Sequence, residues 1–122
     1  MPVPRISKEE LKQRLEGANT PVLLDVRLKY PYEHSTVKLP GALRVLPQDK
    51  IDTAGLPKDK EIIAYDSDPD ELVSSRVAAE LIRKGYRVSA LKGGIVDWLT
   101  ANYPIEAKEA LRSAPPVPGS LK

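Results

Sequence analysis

One stretch of the sequence constrains the fold more than any other, EIIAYDSDPDELVSSR at positions 61–76. Its first part, Glu61–Tyr65, is a short apolar run typical of a buried strand. The polar residues that follow predict a loop beginning at Asp66 and then a helix beginning near Asp70. The first N–H groups of a helix lack internal partners, so such a junction is a recurrent binding site for anions. In this chain the residue at the junction, Asp66, is itself a carboxylate.

Three other short apolar runs, bounded by turn-forming or polar residues, predict further strands at Val22–Val26, Ala42–Val45 and Val88–Leu91. The segment 28–39 is polar and has no clear period, so we expect a surface loop there. The single histidine of the chain, His34, lies in this segment. We expect it to be solvated rather than a catalytic residue or a ligand.

Helices are predicted between the strands. A helix over residues 70–84 is indicated because apolar side chains recur at helical spacing and a glycine follows. An N-terminal helix is predicted over residues 6–17, where Ser7 suits the N-cap position. A third, short helix is expected near the end of the domain, with an inner face made of Ile95, Trp98 and Leu99.

Strands that alternate with helices through short connections indicate an α/β domain, whose mostly parallel sheet is covered by helices on both faces. In such sheets ligands bind at the carboxyl ends of the strands, where Asp66 lies. The length of 122 residues suits one domain, which we predict to span residues 1–106. Residues 107–122 include APPVPGSLK, whose composition cannot build a core, and they are predicted to be a disordered tail.

Charge and residue usage exclude several classes of function. The formal net charge is only +2, so no global field favours nucleic acid or an anionic membrane surface as a partner. No apolar run is long enough to cross a bilayer and the start of the chain lacks the apolar core of a signal peptide, so we predict a cytoplasmic protein without membrane insertion. The absence of cysteine excludes disulfides, thiolate metal sites and a cysteine nucleophile, and one histidine cannot form a His-rich metal site.

Four segments, in this order and spacing, resemble a rhodanese-like domain of the sulfurtransferase family. They are LLDVR at 23–27, LPGALRV at 39–45, the strand, loop and helix at 61–76, and LKGGIVDW at 91–98. The resemblance covers about residues 6–106. It implies a five-stranded parallel sheet flanked by helices, an active-site loop directly after Tyr65, and a structural pair formed by Asp25 and Arg27.

The resemblance implies that active rhodaneses have a cysteine directly after that strand. This cysteine carries sulfur as a persulfide, and the persulfide is held by loop N–H groups at a helix N-terminus. Here that position is Asp66, and Asp68 replaces the second cysteine of the two-cysteine branch that the loop resembles. A carboxylate cannot replace the polarisable thiolate. We therefore predict no thiosulfate sulfurtransferase activity, a vestigial nucleophile position at Asp66, no catalytic residue and no cofactor.

The predicted site is a loop together with the residues that flank it. The loop, named the acidic loop below, consists of Asp66, Ser67, Asp68, Pro69, Asp70 and Glu71, and its flanking residues are Asp25, Arg27 and Arg76. A carboxylate at a helix N-terminus gains up to about 1–2 kcal/mol from the helix dipole and the unpaired N–H groups. We therefore expect Asp66 to act as a built-in anion, while the other acids repel external anions such as phosphate.

We predict a non-catalytic module with a binding or regulatory role toward an unknown protein or small molecule. Its recognition surface is expected to combine the acidic loop with Arg27, Tyr30 and Tyr32. An alternative is Mg²⁺-assisted phosphotransfer or metal binding at Asp66 and Asp68, because a strand followed by Asp-Ser-Asp resembles the opening motif of haloacid dehalogenase-like phosphotransferases. That motif should open the fold, whereas here it falls in the middle of the chain.

Helix capping is a simpler explanation of the acids, and it needs no ligand. Either Asp68 or Asp70 suits the N-cap position, and Pro69 suits the first turn. Negative charge at Glu71 is favourable near a helix N-terminus.

Overall fold

The computed structural model of the chain describes residues 3–47, 51, 53, 55–68 and 70–108. In chain order, the elements are β1 Arg5–Ile6, α1 Lys8–Glu16, β2 Val22–Asp25, α2 Lys29–Glu33, β3 Val37–Lys38, β4 Leu43–Arg44, β5 Glu61–Tyr65, α3 Leu72–Arg83, β6 Arg87–Leu91, α4 Gly94–Thr100 and β7 Glu106–Ala107. Among the described residues, no helix is long and apolar enough to span a membrane.

Five strands form one parallel sheet in the order β1-β6-β5-β2-β4. The central strand β5 pairs with β2 on one side and with β6 on the other, so both of its edges are covered. All five residues of β5 are at least half-buried. The predicted α/β fold with a five-stranded parallel sheet is therefore confirmed.

The two faces of the sheet carry separate apolar cores. Alternation along β5 sends Ile63 to the face covered by α1 and α4, where it packs with Leu11 and Trp98. It sends Ile62 to the opposite face, where it packs with Val77 and other residues of α3. Helices thus cover both faces, as predicted. The expectation that Trp98 belongs to the core is confirmed, because its side chain is fully buried.

Several elements differ from the sequence-based expectations. The segment 28–39, expected to be a loop, contains α2 and β3. Neither element contains a fully buried residue, so neither produces the apolar pattern by which helices and strands are recognised. The first strand, β1, precedes α1 and was not predicted, because two residues are too few to show a period. Leu99 was expected on the inner face of α4, but its side chain is 38% exposed.

The chain near the predicted domain boundary also forms a strand. Strand β7 pairs antiparallel with β3, in a second, two-stranded sheet. The next residue, Lys108, is buried, and its N–H donates to the carbonyl of Thr36. Folded structure therefore extends two residues past position 106. Of the tail predicted over 107–122, residues 109–122 lie outside the described residues.

Candidate functional site

The acidic loop begins where β5 ends, at the carboxyl edge of the parallel sheet. Its first residue, Asp66, has a side chain that is only 1% exposed. Ser67 and Asp68 are half-buried and Asp70 is exposed, while Pro69 lies outside the described residues. The loop therefore begins with a buried acid and presents Asp70 at the surface.

Both oxygens of the Asp66 carboxylate accept hydrogen bonds from backbone N–H groups. Oδ1 accepts from Asp68 at 3.1 Å, and Oδ2 accepts from Ser74 at 2.7 Å. Ser74 is the third residue of α3, so Asp66 supplies the bond that an N-cap side chain normally makes. Burial raises the pKa of the Asp66 carboxyl above its usual value, and the hydrogen bonds from Ser74 and Asp68 oppose this rise.

The expectation that Asp68 or Asp70 caps α3 is wrong. The N-cap residue of α3 is Glu71, whose side chain makes no capping bond. The carboxylate of Asp68 instead accepts from the N–H of Asp70 at 2.8 Å, which closes a small turn within the loop. The cap is supplied by Asp66, because the loop folds back over the first turn of the helix.

Glu71 connects the acidic loop to two distant segments. Its backbone is left-handed, with φ of 57°, and its side chain is 3% exposed. Its carboxylate accepts from Nε of Arg5 at 2.6 Å, from Nη2 of Arg5 at 2.8 Å and from the N–H of Gly93 at 3.1 Å. The hydrogen bond from Arg5 is the main reason why the pKa of Glu71 is lowered. Glu71 is therefore an anchor of the loop rather than an open ligand group.

The glycine at the start of α4 allows the acidic loop to pack against that helix. The carbonyl of Asp66 accepts from the N–H of Ile95 at 2.9 Å. Gly94 has φ of +60°, and a Cβ atom at this position would collide with the same carbonyl oxygen. Only glycine satisfies both conditions without strain.

These partners of the loop were not recognised from the sequence. The glycines at 93–94 were interpreted only as a turn. Arg5 lies 66 residues from Glu71 and carries no local signal of that contact. Ser74 was given no role of its own within the predicted helix over residues 70–84.

The predicted pair Asp25 and Arg27 forms a buried network next to the acidic loop. Nη2 of Arg27 lies 2.6 Å from Oδ2 of Asp25, and both side chains are almost fully buried. The hydroxyl of Tyr65 donates to Oδ2 of Asp25 at 2.9 Å and accepts from the N–H of Leu39 at 3.1 Å. Burial, followed by the charge of Asp25, raises the pKa of Tyr65. The pair therefore joins the ends of β2 and β5 in a structural role.

The third predicted flanking residue, Arg76, does not join this network. It is exposed on α3, and its Nη2 donates to the carbonyl of Pro47 at 2.9 Å. His34 is exposed just after α2, in agreement with its expected solvation.

The geometry of the acidic loop resembles an anion site that is already filled. Each oxygen of Asp66 faces a backbone donor, and one oxygen of Asp68 does the same. Within the described ranges, no group of three or more potential ligand side chains is arranged to hold a metal ion.

Comparison with known proteins identifies the fold and its family. The profile of the rhodanese-like domain matches residues 7–101, which is most of the chain. The chain belongs to this family. A sulfurtransferase from Allochromatium vinosum is 34% identical to this rhodanese-like domain over 110 residues, which cover 88% of this chain and 98% of that protein.

Solved structures support the same assignment. A crystal structure of a Bacillus halodurans protein superposes on this rhodanese-like domain with a TM-score of 0.74, at 26% identity, and covers 85% of this chain and 77% of that one. The rhodanese-like domain of an Anabaena protein, solved in solution, gives a TM-score of 0.68 at 29% identity, over 93% and 84% of the two chains. Unlike a persulfide-forming enzyme, the present rhodanese-like domain has no cysteine.

Proposed function

We propose that this protein is a rhodanese-like module without sulfurtransferase activity, which acts by binding a protein or a small molecule. Rhodanese chemistry needs a thiolate that attacks sulfur and later releases it. The chain contains no cysteine to supply that thiolate. The family resemblance assigns the nucleophile position to Asp66, and a carboxylate cannot carry a transferable sulfur atom.

The observation that carries this proposal is the pair of bonds from Asp68 and Ser74 to the Asp66 carboxylate. The N–H groups of Asp68 and of Ser74, in the first turn of α3, already donate to the Asp66 carboxylate. They are therefore not available to an external sulfur anion while Asp66 is ionised. The half-buried Asp68 and the exposed Asp70 add repulsion between like charges.

The phosphotransfer alternative gains no support from this geometry. A nucleophilic aspartate that shares Mg²⁺ needs carboxylate oxygens directed at the metal. Both oxygens of Asp66 face backbone N–H groups instead, and Oδ1 of Asp68 accepts from Asp70. Isothermal titration with Mg²⁺ tests this point, and tight binding that is lost in Asp66→Asn would restore the alternative.

A thiosulfate-to-cyanide sulfur-transfer assay tests the loss of catalysis. We expect no turnover by the wild-type protein, and turnover would refute the proposal. Asp66→Cys is the informative variant, with Asp68→Cys as its control because it adds a thiol to the same loop. Activity in Asp66→Cys alone would show that the loop retains an anion-binding form and lacks only its nucleophile.

The recognition surface predicted from the sequence needs correction. Arg27 is 2% exposed and bound to Asp25, so it cannot contact a partner. The proposed surface instead contains Asp68, Asp70 and the first residue of α3, Leu72, which is 66% exposed. The domain boundary at 106 and the cytoplasmic location stay predictions.

A cross-linking experiment can test this surface, because an introduced cysteine would be the only one in the chain. A photoactivatable label on Leu72→Cys is compared with the same label on Arg83→Cys, at the other end of α3. We expect a discrete adduct from position 72 that excess unlabelled wild-type protein suppresses. Equal adducts from both positions would argue against a partner at this surface.

A further inference from the structure

Three cations surround the ring of one half-buried tyrosine, Tyr32. Cζ of Arg44 and Nζ of Lys108 each lie 4.0 Å from the ring centroid, and Cζ of Arg27 lies 5.2 Å from it. We name Arg27, Arg44 and Lys108 the cation cluster. Arg27 follows β2, Arg44 belongs to β4, and Lys108 follows β7. The cation cluster shares no residue with the acidic loop and lies near the ends of the neighbouring strands β2 and β4.

The three cations of the cluster share two carboxylates. The carboxylate of Asp25 is bound by Arg27 through Nε and Nη2, accepts from Tyr65, and also lies 3.7 Å from Nη1 of Arg44. The charge of Glu33 also acts on Lys108. Two carboxylates therefore face three cations, and Asp25 is divided between two of them.

Burial makes this excess of positive charge unfavourable. Lys108 is 5% exposed, and its Nζ donates to the carbonyl of Tyr32. Burial, and then the charge of Arg27, lowers the pKa of Lys108, and burial also lowers the pKa of Arg44. Cations held together away from water repel one another unless an anion lies between or beside them. A bound anion would relieve that repulsion.

Arg44 supplies the accessible part of the cation cluster. Its side chain is 20% exposed, and Nη1 donates to the carbonyls of Arg27 at 2.6 Å and Asp25 at 3.2 Å. These two bonds hold the planar guanidinium in place. A guanidinium has further N–H groups on Nε and Nη2, which suit the bidentate recognition of an oxyanion.

We propose that Arg44 and Lys108, with Tyr32 between them, form a binding site for a small oxyanion such as phosphate or sulfate. Such a site is positively charged, whereas the acidic loop is negatively charged. Anions are then excluded from the end of β5 and collected beside the ends of β2 and β4. Arg27 contributes positive charge but no direct contact, because its side chain is 2% exposed and its Nε and Nη2 are bound to Asp25 and Val37.

Amide chemical shifts measured on the full chain during titration with sodium phosphate test this proposal. Sodium chloride at equal ionic strength is the reference, since simple screening would act in both salts. We expect saturable shifts at Tyr32, Arg44 and Lys108 in phosphate only, with Asp68 and Ser74 unchanged. Shifts that match those in chloride, or that centre on the acidic loop, would overturn the proposal.

Two variants of the cation cluster and one control locate the site. Arg44→Gln and Lys108→Met should each weaken phosphate binding by about tenfold or more, which is the effect expected from one charge-assisted hydrogen bond. Arg76→Gln removes an equal charge from α3 and should leave the affinity unchanged. Equal weakening in all three variants would indicate non-specific attraction and overturn the proposal.

Discussion

The Asp66 carboxylate accepts a 2.7 Å hydrogen bond from the N–H of Ser74, eight residues further along the chain. An acid outside α3 thereby takes the role of its N-cap side chain. The residue at the N-cap position, Glu71, is bound to Arg5 instead. The end of β5 and the start of α3 are consequently coupled through one carboxylate, and the predictions below follow from this junction and its neighbours.

Asp66→Ala should lower the free energy of unfolding at pH 7 by about 1 kcal/mol, because α3 loses its capping acceptor. Asp70→Ala is the control, since it removes an exposed acid of the same loop. Urea denaturation measures both variants. Equal losses in the two proteins would contradict the capping role of Asp66.

The stability of the protein should depend on pH through Asp66. Burial raises its pKa in the folded state, so the folded protein binds this proton more tightly than the unfolded chain. The contribution of Asp66 to the free energy of unfolding is then largest at low pH. It falls as pH rises from about 3.9, the ordinary pKa of an aspartate, through the pKa of Asp66 in the folded protein. Urea midpoints of the wild type and Asp66→Asn between pH 3 and 7 measure the difference, and a contribution that grows with pH would refute it.

The contribution of Glu71 to stability should depend on pH in the opposite direction. The hydrogen bond from Arg5 lowers its pKa, so its contribution is present above about 4.3 and is lost as pH falls through the lower, folded value. In Arg5→Gln we expect the pKa of Glu71, followed by carboxyl carbon NMR, to move upward toward the ordinary value of a glutamate. Arg76→Gln should leave it unchanged, and an unchanged pKa in Arg5→Gln would show that the pair has no effect in solution.

Gly94→Ala should destabilise the fold more than Gly41→Ala. Both glycines have positive φ, +60° and +72°, so alanine costs about 1–2 kcal/mol at either position. Only at Gly94 would the added Cβ also collide with the carbonyl of Asp66, whereas Gly41 has open space. Thermal unfolding of both variants measures the difference, and similar melting temperatures would mean that the loop and α4 are not in close contact.

Tyr65→Phe should cost about 1–3 kcal/mol, because it leaves the buried N–H of Leu39 without its acceptor and removes one donor from Oδ2 of Asp25. Tyr30→Phe is the matched control, since that ring is exposed. Denaturant unfolding compares the two. A loss no larger than that of the control would show that the hydroxyl is not a structural link.

The sequence predicted those elements whose pattern is contained in their own residues. Strand β5 and helix α3 were found because a continuous apolar run and a helical period are local signals. Strands β1, β3 and β7 have two residues each and show no period, so their positions depend on pairing with distant segments. Helix α2 was missed because it buries no side chain.

The same division applies to the candidate site. The acidic loop was identified from its position between a strand and a helix. Its anchors, Arg5 and Gly94, were not, because each meets the loop across a long separation in sequence. Arg27 was expected at a recognition surface, but the fold buries it against Asp25.

By itself, the sequence determined the family pattern, the absence of cysteine and the position of Asp66 after a buried strand. Only the tertiary structure decided which acid caps α3. Asp66, Asp68 and Asp70 all have the chemistry of a cap, so local preference does not choose among them. The choice follows from long-range contacts, because α4 holds the carbonyl of Asp66 and Arg5 draws Glu71 away from the helix.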